Sequence, residues 1–124
     1  MRIFKTKTFA KFAKKKQIMD EDLIDAVERA NQGLIDANLG GNVIKQRIAK
    51  QGQGKSSGYR SLILYRINNN SYFVAAIEKS DRENISEQEE NALKLLAKVY
   101  ETYREEQINA LVKQGILIEI TLPK

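Results

Sequence analysis

The sequence predicts an α+β domain, a small antiparallel sheet with helices over one face, on three observations. Apolar residues recur at helical spacing early and late in the chain but alternate with period two in its middle. Two central segments, Tyr59–Ile67 and Ser71–Glu78, are apolar on both faces and separated by Asn68-Asn69-Asn70, a hairpin turn. Helix-start signals stand on both sides of this block, at Asp20 and at Ser86-x-x-Glu89. The predicted order is β-α-α-β-β-β-α-(α)-β. Helices covering one face leave the other open and partly basic.

Arg2–Lys5 reads as a short strand through Ile3 and Phe4. Thr6 or Thr8 can cap a helix running to about Lys16, with Phe9 and Phe12 on one side and Lys11, Lys14, Lys15 and Lys16 around the other. A solvated face is the simplest role for those lysines. The second helix has Asp20 as N-cap, acids in its first turn, Met19 and Ile24 at hydrophobic-staple spacing, and a buried stripe of Leu23, Ile24, Val27, Ala30 and Leu34. It should end between Gly33 and Asn38. In Val43–Ala49, Ile44 and Ile48 alternate with Lys45 and Arg47, giving a strand with one core face and one basic face. After the capping box, Leu93, Leu96, Tyr100 and Tyr103 make one stripe, a further helical segment ends at Gly115, and Ile116–Ile120 closes the sheet.

The length fits one domain, residues 1–124, and no linker, repeat or low-complexity segment divides it. No apolar run approaches the ~20 residues of a membrane helix, and the basic N-terminus lacks a signal-peptide core. Without cysteine there is no disulfide, so a cytoplasmic protein is expected. With neither cysteine nor histidine, thiol nucleophiles and imidazole chemistry are excluded, and acid–base work falls to Lys, Tyr, Glu or Asp. No carboxylate cluster has metal-binding spacing and no nucleotide-cofactor motif occurs, so neither metal nor cofactor is expected.

The net charge of +5 is unevenly spread. Residues 1–18 carry seven positive charges and no acid, whereas residues 19–40 are net −5. Residues 41–82 are net +6 and residues 83–124 net −3. A basic centre between acidic segments suits a polyanion. Its most informative part is Gly54–Arg60, GKSSGYR, in which a permissive loop leads into a strand whose second residue is Arg60. A guanidinium fixed at a strand mouth is a planar fork for phosphate. Lys45, Arg47 and Lys50 precede this loop, Lys55 lies within it, and Lys79 and Arg82 follow the next strand.

RNA cleavage needs no metal when the 2′-hydroxyl attacks the adjacent phosphorus. The reaction needs a base for the 2′ proton, cations for the phosphorane charge and an acid for the 5′ oxygen. Lys45, Arg47, Arg60 and Lys79 form a candidate cluster if their strands adjoin, while Lys50, Lys55, Tyr59 and Arg82 are candidate nucleic-acid contacts. Tyr59, Tyr65 and Tyr72 can stack on bases or donate protons, although strand propensity favours core packing for each. Glu78 and Asp81, which flank Lys79, suit either a base or an ion pair.

The segments VIKQRIAKQGQGKSSGYRSLILYR and YFVAAIEKSDRENIS, with the order of elements, resemble the RelE/HigB branch of type II toxin–antitoxin toxins. The likeness extends from FKTKTFAKFAKK to the closing GILIEI. It implies a microbial RNase fold, ribosome-dependent mRNA cleavage, and neutralisation by a cognate helix-turn-helix antitoxin. It also implies active-site roles for Lys45, Arg47, Arg60 and Lys79. Ser80 and Ser86 stand where some members carry a second Arg and a Tyr or His, so the proton donor is left unassigned. Two alternatives stay open: a non-nucleolytic toxin of the ParE type acting on DNA gyrase, and an RNA-binding module without turnover.

Overall fold

Six strands pair in the order β2-β3-β4-β5-β1-β6. They are β1 (Arg2–Thr6), β2 (Ala37–Gly40), β3 (Val43–Ile48), β4 (Tyr59–Ile67), β5 (Asn70–Glu78) and β6 (Leu117–Ile120). The helices are α1 (Lys7–Lys15), α2 (Asp20–Asn31), α3 (Glu87–Glu101) and α4 (Glu105–Lys113). The computed structural model describes residues 1–48, 58–78, 82 and 84–122. Every pairing is antiparallel except β1 with β5, which is parallel. The α+β class holds, with one strand more than expected. Among the described residues no helix is long and apolar enough to cross a membrane.

The added strand, β2, occupies the region assigned to the end of the second helix. That helix stops at Asn31, and Gly33 takes the left-handed conformation (φ +86°). Leu34 is consequently exposed rather than part of the buried stripe. Gly41 and Asn42, both at positive φ, turn β2 into β3. The α2 N-terminus lies one residue earlier than expected. Met19 is the N-cap, its backbone N–H donates to Asp22 (3.0 Å), and Asp20 is the first helical residue. Ile18 and Leu23, both buried, take the place of Met19 and Ile24 as the residues flanking this start, and Met19 is exposed.

Other local signals hold. Thr6 caps α1 through Phe9 N–H (3.2 Å). Asn68 and Asn69, both left-handed, form the two-residue turn between β4 and β5. Ser86 and Glu89 exchange both capping-box hydrogen bonds (2.9 and 3.1 Å). Gly115 ends α4 at φ +78°.

Helices cover both faces of the sheet, not one. Phe9, Ala13, Leu23, Ala26 and Val27 of α1 and α2 pack on Ile3, Ile44, Ile48, Ile63, Phe73 and Ile120. On the reverse face Ala97, Tyr100 and Ile108 of α3 and α4 pack on Phe4, Val43, Leu64, Tyr72 and Leu117. The apolar stripe of α3 shows that it must be buried but does not choose a face. The reverse face is therefore covered at one end, and the cations of β3 and β4 lie beyond that cover.

Candidate functional site

Strand alternation and register assemble the site. Ile44, Gln46 and Ile48 point into the α1/α2 core, so Lys45 and Arg47 point to the reverse face. In β4, Tyr59 and Ile63 belong to the α1/α2 core, which puts Arg60 and Leu62 on the reverse face with Lys45 and Arg47. Arg47 pairs directly with Arg60, and Lys45 with Leu62. Like charges facing each other across two strands repel, so the arrangement favours an anion between them.

A bulge in β5 completes this face. Leu62 pairs with Ala75 but Ile63 pairs with Phe73, so one extra residue enters at Val74. The extra residue reverses the alternation beyond it. Ile77 then pairs with Arg60 on the reverse face, while Glu78 pairs with Tyr59. Glu78 bonds Lys16 at the C-terminal cap of α1 (3.2 Å) instead of facing the cations.

The three described cations differ in how they are held. Arg47 donates its backbone N–H to Asp36 (2.7 Å), and its guanidinium reaches the same carboxylate at 3.3 Å. Burial pushes the Asp36 carboxyl up, but the Arg47 hydrogen bonds and the charges of Arg47 and Arg29 outweigh it and hold the group below its ordinary range. Lys45 donates to Asn84 (2.7 Å), which ties β3 to the segment before α3. Arg60 is half-buried on its central strand, and its Nη1 is buried with no hydrogen-bond partner among the described residues. An unsatisfied charged donor costs stability, and a phosphate oxygen at this position would satisfy it.

The other candidates separate. Tyr59 is buried on the opposite face from Arg60, its ring edge-on to Phe12 (centroids 5.7 Å apart, 88° between planes). Strand alternation that exposes Arg60 on one face puts its neighbour in the core, so Tyr59 is a core residue rather than a nucleic-acid contact. Tyr65 bonds Asn31 (2.5 Å), and Tyr72 is buried and stacked on Phe4 (5.2 Å). Burial pushes the Tyr72 hydroxyl above its ordinary range. Arg82 grips Glu89 with both terminal guanidinium nitrogens, Nη1 and Nη2 (2.6 and 2.7 Å). This fork, with the Ser86 N–H, holds the Glu89 carboxyl down to about 2. Lys50, Lys55, Lys79 and Asp81 lie outside the described residues, as do residues 51–57 of the glycine-rich loop.

Sequence reasoning missed Asp36, Asn84 and the ion-pair role of Glu89. Glu89 was legible as a capping residue, but its second use depends on where Arg82 falls. Nothing near Asp36 or Asn84 in the sequence signals that each holds a cation of β3.

The cluster gathers Lys45, Arg47 and Arg60 on one face of β3 and β4, and among the described residues no tyrosine is exposed beside it. A family model described as the RelE toxin of the RelE/RelB toxin–antitoxin system matches residues 1–120. No curated protein matches the chain. Matched over nearly its whole length and folded as a helix-covered, mostly antiparallel sheet, the chain belongs to the RelE family, the toxins of toxin–antitoxin systems.

Proposed function

We propose that this toxin is a ribosome-dependent endoribonuclease that cleaves mRNA through metal-free attack by the 2′-hydroxyl. The observation that carries the reading is Arg60, half-buried and paired with Arg47 across the strands, with one guanidinium nitrogen that has no partner among the described residues. In the proposed reaction the 2′ oxygen bonds to phosphorus and the bond to the 5′ oxygen breaks. Products are a 2′,3′-cyclic phosphate and a free 5′-hydroxyl. Arg60 clamps the scissile phosphate and receives the charge that grows on its oxygens. Arg47, already tethered to Asp36, adds a second cation with little freedom to lose. Lys45 and Lys79 supply the amines for proton transfer at the 2′ and 5′ oxygens. Lys45 is steadied by Asn84, and Lys79 follows β5 in the sequence. A cognate helix-turn-helix antitoxin and ribosome-bound mRNA are the proposed partners, in the cytoplasm.

The test is Arg60→Ala. Loss of one preorganised donor to a transition-state oxyanion costs about 10²–10³-fold in rate. Expression of the wild type should arrest growth and produce new mRNA 5′ ends within translated regions, and the variant should do neither. Arg60→Lys, which keeps the charge without the fork, should retain part of the activity. Equal toxicity of Arg60→Ala would remove the proposed site. Intact mRNA with inhibited DNA supercoiling would move the target to gyrase, and salt-dependent RNA binding without new ends would leave a binder.

A further inference from the structure

Beside the cation cluster the reverse face holds a recess of about 230 Å³, floored by Leu62, Ala75 and Ile77 and walled by Ile85, Ala92 and Leu93. The register fixes its relation to the cations. Leu62 pairs with both Lys45 and Ala75, and Arg60 pairs with both Arg47 and Ile77. Paired residues on adjacent strands lie roughly 5 Å apart, so the apolar floor begins one residue from the charges. The recess exists partly because two of these six positions are alanine. The Arg82–Glu89 ion pair stands among its lining residues. The volume is below that of a site for a drug-sized ligand and suits a single planar ring system.

A ligand matching this arrangement has an anion for Arg60, a flat apolar body about one residue away, and a polar edge for the ion pair. Those are the parts of a nucleotide. We propose that the recess receives the nucleobase adjacent to the phosphate held by Arg60, with the first turns of α3 as the wall that reads it. The inference rests on the RNA-cleaving reading insofar as it takes the anion to be an RNA phosphate. An apolar side chain of a protein partner would fill the floor but leave the buried Nη1 of Arg60 unsatisfied. Charge complementarity therefore favours RNA.

The experiment is an abasic scan. Binding of a short single-stranded RNA to the purified protein is measured at low salt, with the base removed at each position in turn. Base stacking in such sites is worth about tenfold or more per base. In the wild type, one abasic position should weaken binding about tenfold. Ala92 is exposed on α3, so Ala92→Phe can fill the recess without disturbing the core. This variant should bind the intact RNA more weakly and lose nothing further at that abasic position. Ile85→Ala, which widens the recess, should reduce the effect at the same position. A flat wild-type scan, no binding, or an unchanged scan in Ala92→Phe would overturn the proposal. An unchanged scan with lost antitoxin binding would assign the recess to protein. Cleavage on ribosomes is scored separately. Intact mRNA with a position-dependent scan sinks the nuclease reading alone, and cleavage with a flat scan sinks the base recess alone.

Discussion

On one face of the sheet Ile44, Ile48, Ile63, Phe73 and Ile120 lie under α1 and α2 in continuous apolar packing. On the other, the packing of Val43, Leu64 and Tyr72 under α3 and α4 gives way to Lys45, Arg47 and Arg60. Both faces are drawn from the same strands, one residue out of phase. The closed face is continuous apolar core, whereas the half-covered face sets Arg47 opposite Arg60, a repulsion that a bound anion would relieve. In the proposed reading, function costs stability locally and the opposite layer offsets it.

The sharpest way to break this contrast is to truncate one residue on each face. Phe73 is fully buried, with its ring 5.3 Å from that of Phe9. Phe73→Ala should destabilise the protein by about 3–5 kcal/mol in urea unfolding, through lost transfer energy and the cavity left behind. Arg60→Ala removes a buried unpartnered donor and the repulsion with Arg47. It should change stability by less than about 1 kcal/mol, or raise it, while abolishing activity. Comparable losses from the two variants would show that Arg60 is structural and that the faces are not divided in this way.

A middle-sized effect is expected where the faces communicate. Gln46 is fully buried on the closed face. Its amide donates to Ala26 O (2.9 Å) and Leu34 O (3.2 Å), and its carbonyl accepts from Asp36 N–H (2.7 Å). The residue it holds, Asp36, also holds Arg47. Gln46→Leu should cost about 2 kcal/mol by stranding buried polar groups. It should also weaken Arg47's contribution to RNA binding by freeing the Asp36 carboxylate. A variant with lost stability but unaltered RNA affinity would show that the Asp36 tether does not matter to the site.

These residues also show where the sequence was legible. The bounds of β4, the capping box at Ser86 and the terminating Gly115 came through because each is set by local chemistry within a few residues. The edge strand β2 did not, because Ala37-Asn-Leu-Gly has no β-branched residue and its hairpin is signalled only by Gly41-Asn42. The parallel pairing of β1 beside β5 depends on contacts nearly 70 residues apart in the chain and leaves no local mark. Lys45, Arg47 and Arg60 could be placed on one face because alternation runs unbroken through β3 and through β4 as far as Tyr65, before the irregularity at Arg66. The bulge at Val74 could not be foreseen, and it decides which β5 residues join them. Tyr59 shows the same limit from the other side. Its type suited RNA stacking, but the parity that turns Arg60 outward turns Tyr59 into the core.

The smallest expected effect lies at the rim, where Arg82 and Glu89 join the segment before α3 to the helix itself. Glu89 is held down from an ordinary 4.5 to about 2 by the Arg82 fork and the Ser86 N–H. A carboxyl depressed in the folded state contributes stability that is full above its unfolded value and disappears as pH falls through its folded one. The contribution should therefore be complete above about 4.5 and lost progressively toward about 2. Because the pair is solvent-exposed, salt and water screen it, and the effect on global unfolding is slight. Its local readout is amide exchange at the α3 N-terminus, where the same carboxylate also accepts the capping bond from Ser86 N–H (2.9 Å). Exchange there should quicken as pH drops through this window, after correction for intrinsic rates. Arg82→Gln should shift the onset upward toward 4.5, since only the capping bonds then hold the carboxyl down. If onset stays where it was in the variant, Arg82 is not what fixes Glu89, and the guanidinium is available to RNA rather than committed to the wall of the recess.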